Sequence, residues 1–179
     1  MYLRKQTFEG LGTESAFLWG ARQTGKSTLL KALFPASICF DLLLSNEYDR
    51  FIRNPALLRE ILLASDTAAV VIIDEVQRVP ALLNEVHWLI VNTNFRFILS
   101  GSSPRNILRS GGNLLGGRAF RYELYPLVYS EIPDFDLIKA LNNGLLPRHY
   151  LSANPAKLLS AYIGSYLRDE TSHANKLSN

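Results

Sequence analysis

The chain has 179 residues, of which 47% are hydrophobic and 20% charged, and its formal net charge is +3. This balance suits one compact domain, or one domain with a small appendage. The single cysteine, Cys39, excludes a disulfide within the chain, and no apolar run approaches the ~20 residues that span a bilayer. We therefore expect a cytoplasmic protein with no membrane partner. The mildly basic balance permits contact with nucleic acid but does not argue for it.

The first predicted strand, residues 16–19, leads directly into a segment that matches the pattern GxxxxGK[ST]. A helix is predicted over residues 26–34 and is ended by Pro35. Glycine allows successive backbone N–H groups to turn inward around a polyanion, and the helix N-terminus adds a positive field. The sequence therefore predicts a binding segment for the phosphates of ATP, formed by Gly20, Ala21, Arg22, Gln23, Thr24, Gly25, Lys26, Ser27 and Thr28.

Two residues of this segment have specific expected roles. Lys26 is expected to reach the β- and γ-phosphates, and the hydroxyl of Ser27 is expected to bind Mg²⁺. A second strand is predicted over residues 38–42 with Cys39 at a buried position, and helices are predicted over 47–52 and 56–64.

An apolar, β-branched run over residues 69–74 ends in two acids, Asp74 and Glu75. Such a run is typical of a strand buried on both faces of a parallel sheet. Asp74 is expected to hold the hydration shell of Mg²⁺, and Glu75 is expected to polarise the attacking water. The alternative is that both acids cap the next helix, which is predicted over residues 81–91.

Serines follow the next predicted strand, residues 95–100. Ser100 and Ser102 are candidates for a hydroxyl that holds the catalytic water or contacts the γ-phosphate. The alternative is that Ser102 or Ser103 caps a helix that starts at Pro104.

A glycine-rich segment over residues 111–117 predicts a mobile loop, and Arg118 lies at its end. Arg118 is a candidate arginine finger, which would donate hydrogen bonds to the γ-phosphate as charge develops there. The alternative is a surface arginine that starts the last strand, predicted over residues 120–124.

The alternation of strands and helices predicts an α/β fold, a parallel sheet with helices on both faces and a site at the carboxyl ends of its strands. Beyond residue 127 the pattern becomes helical, with an amphipathic helix over residues 155–168. We expect an ATPase core over residues 1–129, a helical extension or partial lid over 130–169 and a disordered tail over 170–179.

The motifs together resemble the N-terminal ATPase module of a prokaryotic family of AAA-type P-loop ATPases, in which a C-terminal domain of unknown function follows. The matching segments are residues 19–30, 72–77, 98–103, 115–118, 123–127 and 162–169. The resemblance implies a five-stranded AAA-like sheet, ATP as the nucleotide, a sensor role for Ser100 and Ser102, and an Arg118 finger acting within or between subunits of a homo-oligomer. Family members continue beyond the position of Asp169, so we expect this chain to lack the C-terminal domain.

The function expected from these features is Mg²⁺-dependent binding and hydrolysis of ATP, weak in isolation, which drives or gates a partner or the C-terminal domain. The alternative is a nucleotide-dependent switch or scaffold that binds DNA or protein with negligible turnover. GTP is disfavoured because no NKxD guanine-reading motif follows the phosphate-binding segment. Phosphate release measured with and without DNA separates the two functions.

Overall fold

A computed structural model describes residues 2–65, 70–104, 107 and 115–174, with the backbone alone for residues 165–174. The chain divides into two compact units, Lys5–Tyr125 and a second unit of Met1–Arg4 with Pro126–Asn179. The sequence-based boundary at residue 129 lies shortly after this division.

Five parallel strands form one sheet in the described part of Lys5–Tyr125, in the order β2-β3-β4-β1-β5. Their bounds are β1 Ser15–Trp19, β2 Ile38–Asp41, β3 Val70–Asp74, β4 Arg96–Gly101 and β5 Ala119–Glu123. Among the described residues, the helices that connect the strands are α1 Lys26–Leu33, α2 Ser45–Arg53, α3 Leu57–Leu63 and α4 Leu82–Asn92. The predicted five-stranded parallel sheet of an α/β fold is confirmed.

Alternate residues of the strands enter two separate apolar cores, because successive side chains of a strand point to opposite faces. On β1, Phe17 and Trp19 belong to the first core, which includes residues of α3 and α4. Ala16 and Leu18 belong to the second core, which includes residues of α1. Both faces of the sheet are therefore covered by helices, as predicted for a parallel sheet.

The strand register brings the carboxyl ends of the strands to one edge of the sheet. Trp19 at the end of β1 pairs with Gly101 of β4 and with Glu123 of β5. Asp74 at the end of β3 pairs with Ser100 of β4. The loop after β1 and the acids after β3 therefore start from the same edge.

Cys39 is exposed, so the prediction of a buried position is wrong. The physical reason is the strand order: β2 lies at the end of the sheet and pairs only with β3 in the described structure. An apolar run alone does not distinguish an edge strand from a central one.

The second unit is helical, as predicted. A 3₁₀ turn at Tyr129–Glu131 precedes α5 Leu137–Asn143, α6 Pro147–Tyr150 and α7 Pro155–Ala174. Asp136 caps α5, since its Oδ1 accepts a hydrogen bond of 3.0 Å from the Lys139 N–H. Residues 170–174 of the predicted tail are helical, and residues 175–179 lie outside the described part of the chain.

Within the described residues, we find no helix with the length and apolar character needed to cross a membrane.

Candidate functional site

The loop between β1 and α1 is shaped by two residues in the left-handed region. Gly25, with φ of +94°, caps the N-terminus of α1, and Gln23 has φ of +65°. The hydroxyl of the buried Thr24 donates a hydrogen bond of 2.9 Å to the Ala21 carbonyl oxygen. The loop is therefore turned back on itself at the N-terminus of α1, where a positive field favours anions.

Lys26 is the first residue of α1 and is only 5% exposed. Its Nζ donates hydrogen bonds to the carbonyl oxygens of Gly20 at 2.8 Å and Ala21 at 3.3 Å. Burial lowers the pKa of Lys26, while the carboxylates of Glu75 and Asp74 act in the opposite direction. The ammonium group is thus buried inside the loop, where phosphate oxygens would supply a counter-charge.

The carboxylate of Asp74 joins three elements. The hydroxyl of Ser27 on α1 donates a hydrogen bond to Oδ2, and the buried hydroxyl of Ser100 on β4 donates one to Oδ1. These are hard oxygen ligands of the kind that Mg²⁺ prefers.

The donor set fits a Mg²⁺ ion that completes its coordination with other oxygens. In the described ranges, no group of three or more His, Cys, Asp or Glu side chains could hold a metal ion. Mg²⁺ sites of nucleotide enzymes commonly use one or two protein oxygens, with substrate phosphates and waters as the remaining ligands. Ser27 and Asp74 match that arrangement.

Glu75 leaves β3 in a strained conformation, with φ of +59° and ψ of +42°. A non-glycine residue in the left-handed region costs free energy and is enriched at functional sites. Its N–H donates a hydrogen bond of 3.1 Å to Oδ1 of Asp74, and a 3₁₀ turn, Val76–Arg78, follows. Neither this turn nor α4 has a side-chain cap in the described structure, which contradicts the alternative that the two acids cap a helix.

Gln77 is a site residue that the sequence analysis missed. Its Nε2 donates hydrogen bonds to Oε2 of Glu75 and, at 3.3 Å, to the hydroxyl of Ser102. The only signal in the sequence was a polar residue two positions after Glu75. The two serines therefore have different partners, Ser100 with Asp74 and Ser102 with Gln77. The helix predicted from Pro104 lies mostly outside the described residues.

Arg118 is not brought together with these residues. It is exposed and precedes Ala119, which pairs with Ser15 at the amino end of β1. The phosphate-binding segment begins after Trp19, at the carboxyl end of the five-residue strand. At ~3.3 Å per residue, Ser15 and Trp19, the two ends of β1, are about 13 Å apart. Residues 111–114 of the glycine-rich segment lie outside the described ranges, and Leu115–Gly117 forms a 3₁₀ turn.

The remaining predicted phosphate-binding residues line the surface of the loop and of the first turn of α1. Those that are exposed are Ala21, Arg22, Gln23, Ser27 and Thr28.

Comparison with known proteins gives a family match. A family model described as "AAA domain" matches residues 13–133. No curated protein matches the chain in sequence.

Two solved structures illustrate the structural similarity. The Aeropyrum pernix ORC2 protein, solved as ADPNP-ADP complexes, is 14% identical with a TM-score of 0.45; the match covers 66% of this chain and 43% of that one. C. elegans PCH-2 is 16% identical with a TM-score of 0.42, and the match covers 66% and 37% respectively. In both comparisons the matched part is less than half of the solved protein's own length.

Proposed function

The chain belongs to the AAA domain family, and we propose that it is a Mg²⁺-dependent ATPase module. This membership supports nucleotide binding and hydrolysis in general. The choice of ATP, the metal and the role of each residue are our proposal. The observation that carries it is the convergence of Lys26, Ser27, Asp74 and Glu75 at one edge of the sheet.

The proposed binding step uses the loop and α1. Lys26 exchanges its two carbonyl acceptors for oxygens of the β- and γ-phosphates, and backbone N–H groups of residues 20–27 surround the phosphates. Ser27 and Asp74 would hold the Mg²⁺ ion, which when bound neutralises charge that develops on the phosphate oxygens. The direct hydrogen bond between these two side chains supports this pairing.

The proposed hydrolytic step uses Glu75. Its carboxylate orients a water and accepts its proton as the water oxygen bonds to the γ-phosphorus. The bond from the γ-phosphorus to the bridging oxygen breaks, and ADP and phosphate are released. The hydroxyls of Ser100 and Ser102, at the end of the neighbouring strand, are proposed to sense the γ-phosphate.

Two substitutions test this assignment. Lys26→Ala is expected to abolish ATP binding in a fluorescence or calorimetric titration, whereas Glu75→Gln is expected to retain binding and stop phosphate release. Glu14→Gln, at an exposed position before β1, is the matched control and should change neither. Hydrolysis by Glu75→Gln at the parent rate would overturn the role of Glu75.

A second candidate is a nucleotide-dependent switch or scaffold with negligible turnover. The position of Arg118 favours it, because one copy of the chain keeps this arginine away from its own phosphate-binding segment. In either case we propose that the nucleotide bound to the module gates a protein or DNA partner. We also propose a cytoplasmic location, which the single cysteine supports. Steady-state phosphate release that stays at the Lys26→Ala background, with and without DNA, would favour the switch.

A further inference from the structure

We propose that Gln77 is a positioning residue for hydrolysis, which holds the carboxylate of Glu75 and links it to Ser102. This inference rests on the proposed role of Glu75. The primary amide of Gln77 has two donor hydrogens, and the two acceptors within its reach are Oε2 of Glu75 and the hydroxyl of Ser102. One side chain thus connects the end of β3 to the residue that follows β4.

The NH₂ group of Gln77 makes both of these hydrogen bonds. The opposite atom, Oε1, is buried and has no hydrogen-bond partner among the described residues. A buried acceptor without a hydrogen-bond partner is destabilising. Rotating the amide by half a turn would place Oε1 against the carboxylate oxygens of Glu75, which cannot donate when ionised. The carboxylate of Glu75 therefore determines which way the amide points.

The absence of a side chain at Gly101 leaves room for the amide of Gln77. A β-carbon on Gly101 would lie 2.1 Å from Oε1 of Gln77 and 2.7 Å from a ring carbon of Trp19. The amide therefore lies directly against the backbone of Gly101, where a larger residue would displace it. The buried Trp19, which immediately precedes the phosphate-binding segment, lies against the same glycine.

The consequence concerns the orientation of Glu75. Its backbone is already held in the left-handed region, and the hydrogen bond from Gln77 restrains its side chain. A general base misplaced by about 1 Å can cost ~100-fold in rate. Removal of the amide donor is therefore expected to lower kcat roughly 10- to 100-fold with little change in nucleotide affinity.

The first experiment replaces the amide with an apolar group of similar length. Gln77→Met is expected to lower kcat, while the Kd for ATP stays within about twofold of the parent value, because Gln77 contacts no residue of the phosphate-binding segment by hydrogen bonds in the described structure. Gln6→Met is the matched control: Gln6 donates to the neighbouring Thr7 carbonyl oxygen and should leave both constants unchanged. An unchanged or increased kcat in Gln77→Met would overturn the proposal.

The second experiment separates positioning from a general structural role. Single-turnover hydrolysis is compared for Gln77→Met, Glu75→Gln and the double variant. If Gln77 acts through Glu75, its substitution adds less than about twofold to the loss caused by Glu75→Gln. Independent losses that multiply, or a weakened Kd for ATP in both backgrounds, would show a structural role instead.

A third variant covers the outcome in which Gln77→Met unfolds. Gln77→Glu keeps the length and planar shape of the side chain but removes the donors and places a second carboxylate beside Glu75. We expect it to lower kcat at least as much as Gln77→Met, and parent-like turnover would contradict the proposal. A parent rate equal to that of Lys26→Ala would instead refute the proposed ATPase function on which this inference rests.

Discussion

Gly20 and Leu124 approach so closely that a β-carbon on residue 20 would lie 2.3 Å from the carbonyl oxygen of Leu124. The Leu124 N–H also donates a hydrogen bond of 2.7 Å to the Trp19 carbonyl oxygen, so the two backbones are held together. The atom that an added methyl group would meet belongs to the backbone, so it cannot move aside as the end of a flexible side chain would. The first glycine of the phosphate-binding segment is therefore required by close approach, whereas Gly25 is required by its positive φ.

We predict that Gly20→Ala lowers the free energy of unfolding by about 3 kcal/mol, because the added methyl group must separate β5 from the start of the loop. The affinity for ATP should fall as well. Gly12→Ala is the control, since Gly12 has φ of +49° but nothing within 4 Å of its added β-carbon. It should cost about 1–2 kcal/mol of backbone strain and leave ATP affinity unchanged. Urea unfolding and ATP titration measure both effects; equal affinities for the two variants would contradict the prediction.

The buried ammonium of Lys26 predicts a pH dependence of stability. Burial lowers the pKa of Lys26 in the folded protein from its ordinary value of 10.5. The unfolded chain therefore keeps this proton to higher pH than the folded chain does, and loss of the proton favours folding. Stability conferred by this site should rise as pH increases from the lowered pKa towards 10.5.

Lys26→Met isolates this effect, because methionine has a similar length and no charge. We expect the urea midpoint of the parent to rise relative to that of Lys26→Met between neutral pH and pH 10.5. Contributions from groups other than Lys26 are common to both proteins and cancel in the difference. A difference that is constant with pH, or that falls, would show that burial does not lower the pKa of Lys26.

Local motifs predicted the fold and the centre of the site from sequence. The GxxxxGK[ST] spacing specifies a strand, a loop and a helix, and the apolar run before Asp74 indicates a buried parallel strand. Parallel strands share one edge for their carboxyl ends, so these two patterns already place Ser27 and Asp74 at the same edge of the sheet.

The remaining features depend on strand order and on contacts distant in sequence. The exposure of Cys39 follows from the edge position of β2, which hydrophobic periodicity does not specify. The bond from Gln77 to Ser102 joins residues of two different strand ends, and only the pairing of β3 with β4 brings them together. The distance of Arg118 from Lys26 likewise depends on the pairing of Ala119 with Ser15.

The shared carboxylate of Asp74 predicts how the metal affects affinity. In Asp74→Asn, the hydroxyls of Ser27 and Ser100 can reorient towards the amide, so we expect the fold to persist. The amide lacks the negative charge that attracts Mg²⁺. The parent should bind ATP more tightly with Mg²⁺ than with excess EDTA, and Asp74→Asn should show little difference between the two. Metal-dependent affinity of the parent size in Asp74→Asn would exclude Asp74 as a ligand.

In the second unit, a buried ion pair predicts a large loss of stability on substitution. Nε of Arg4 lies 3.0 Å from Oε2 of Glu131, and the two side chains are 9% and 3% exposed. Glu131→Gln removes the negative charge that faces the buried guanidinium of Arg4, at a cost of about 3–5 kcal/mol. Arg121→Gln breaks the exposed pair with Glu123 and should cost less than about 1 kcal/mol. Thermal or urea unfolding distinguishes them, and similar losses for both variants would contradict the role of burial.

The position of Arg118 predicts that any role in catalysis requires a second copy of the chain. Arg118 lies at the amino end of β5, one strand length from the segment that begins at Gly20. Its guanidinium therefore cannot reach phosphates bound at Lys26 of the same chain. It can reach the site of a neighbouring copy if the amino edge of one sheet faces the carboxyl edge of the next.

Mixing two inactive variants tests this arrangement. Arg118→Ala retains an intact phosphate-binding segment, and Lys26→Ala retains the arginine. Each alone is expected to show at least a tenfold loss of phosphate release, in line with the contribution of arginine fingers. The mixture should regain activity as total protein concentration rises, because Lys26→Ala supplies the arginine that Arg118→Ala lacks. Arg121→Ala, two residues further along β5, is the matched control and should retain parent activity alone. A mixture as inactive as its components, or an Arg118→Ala variant with the parent rate, would remove Arg118 from the mechanism.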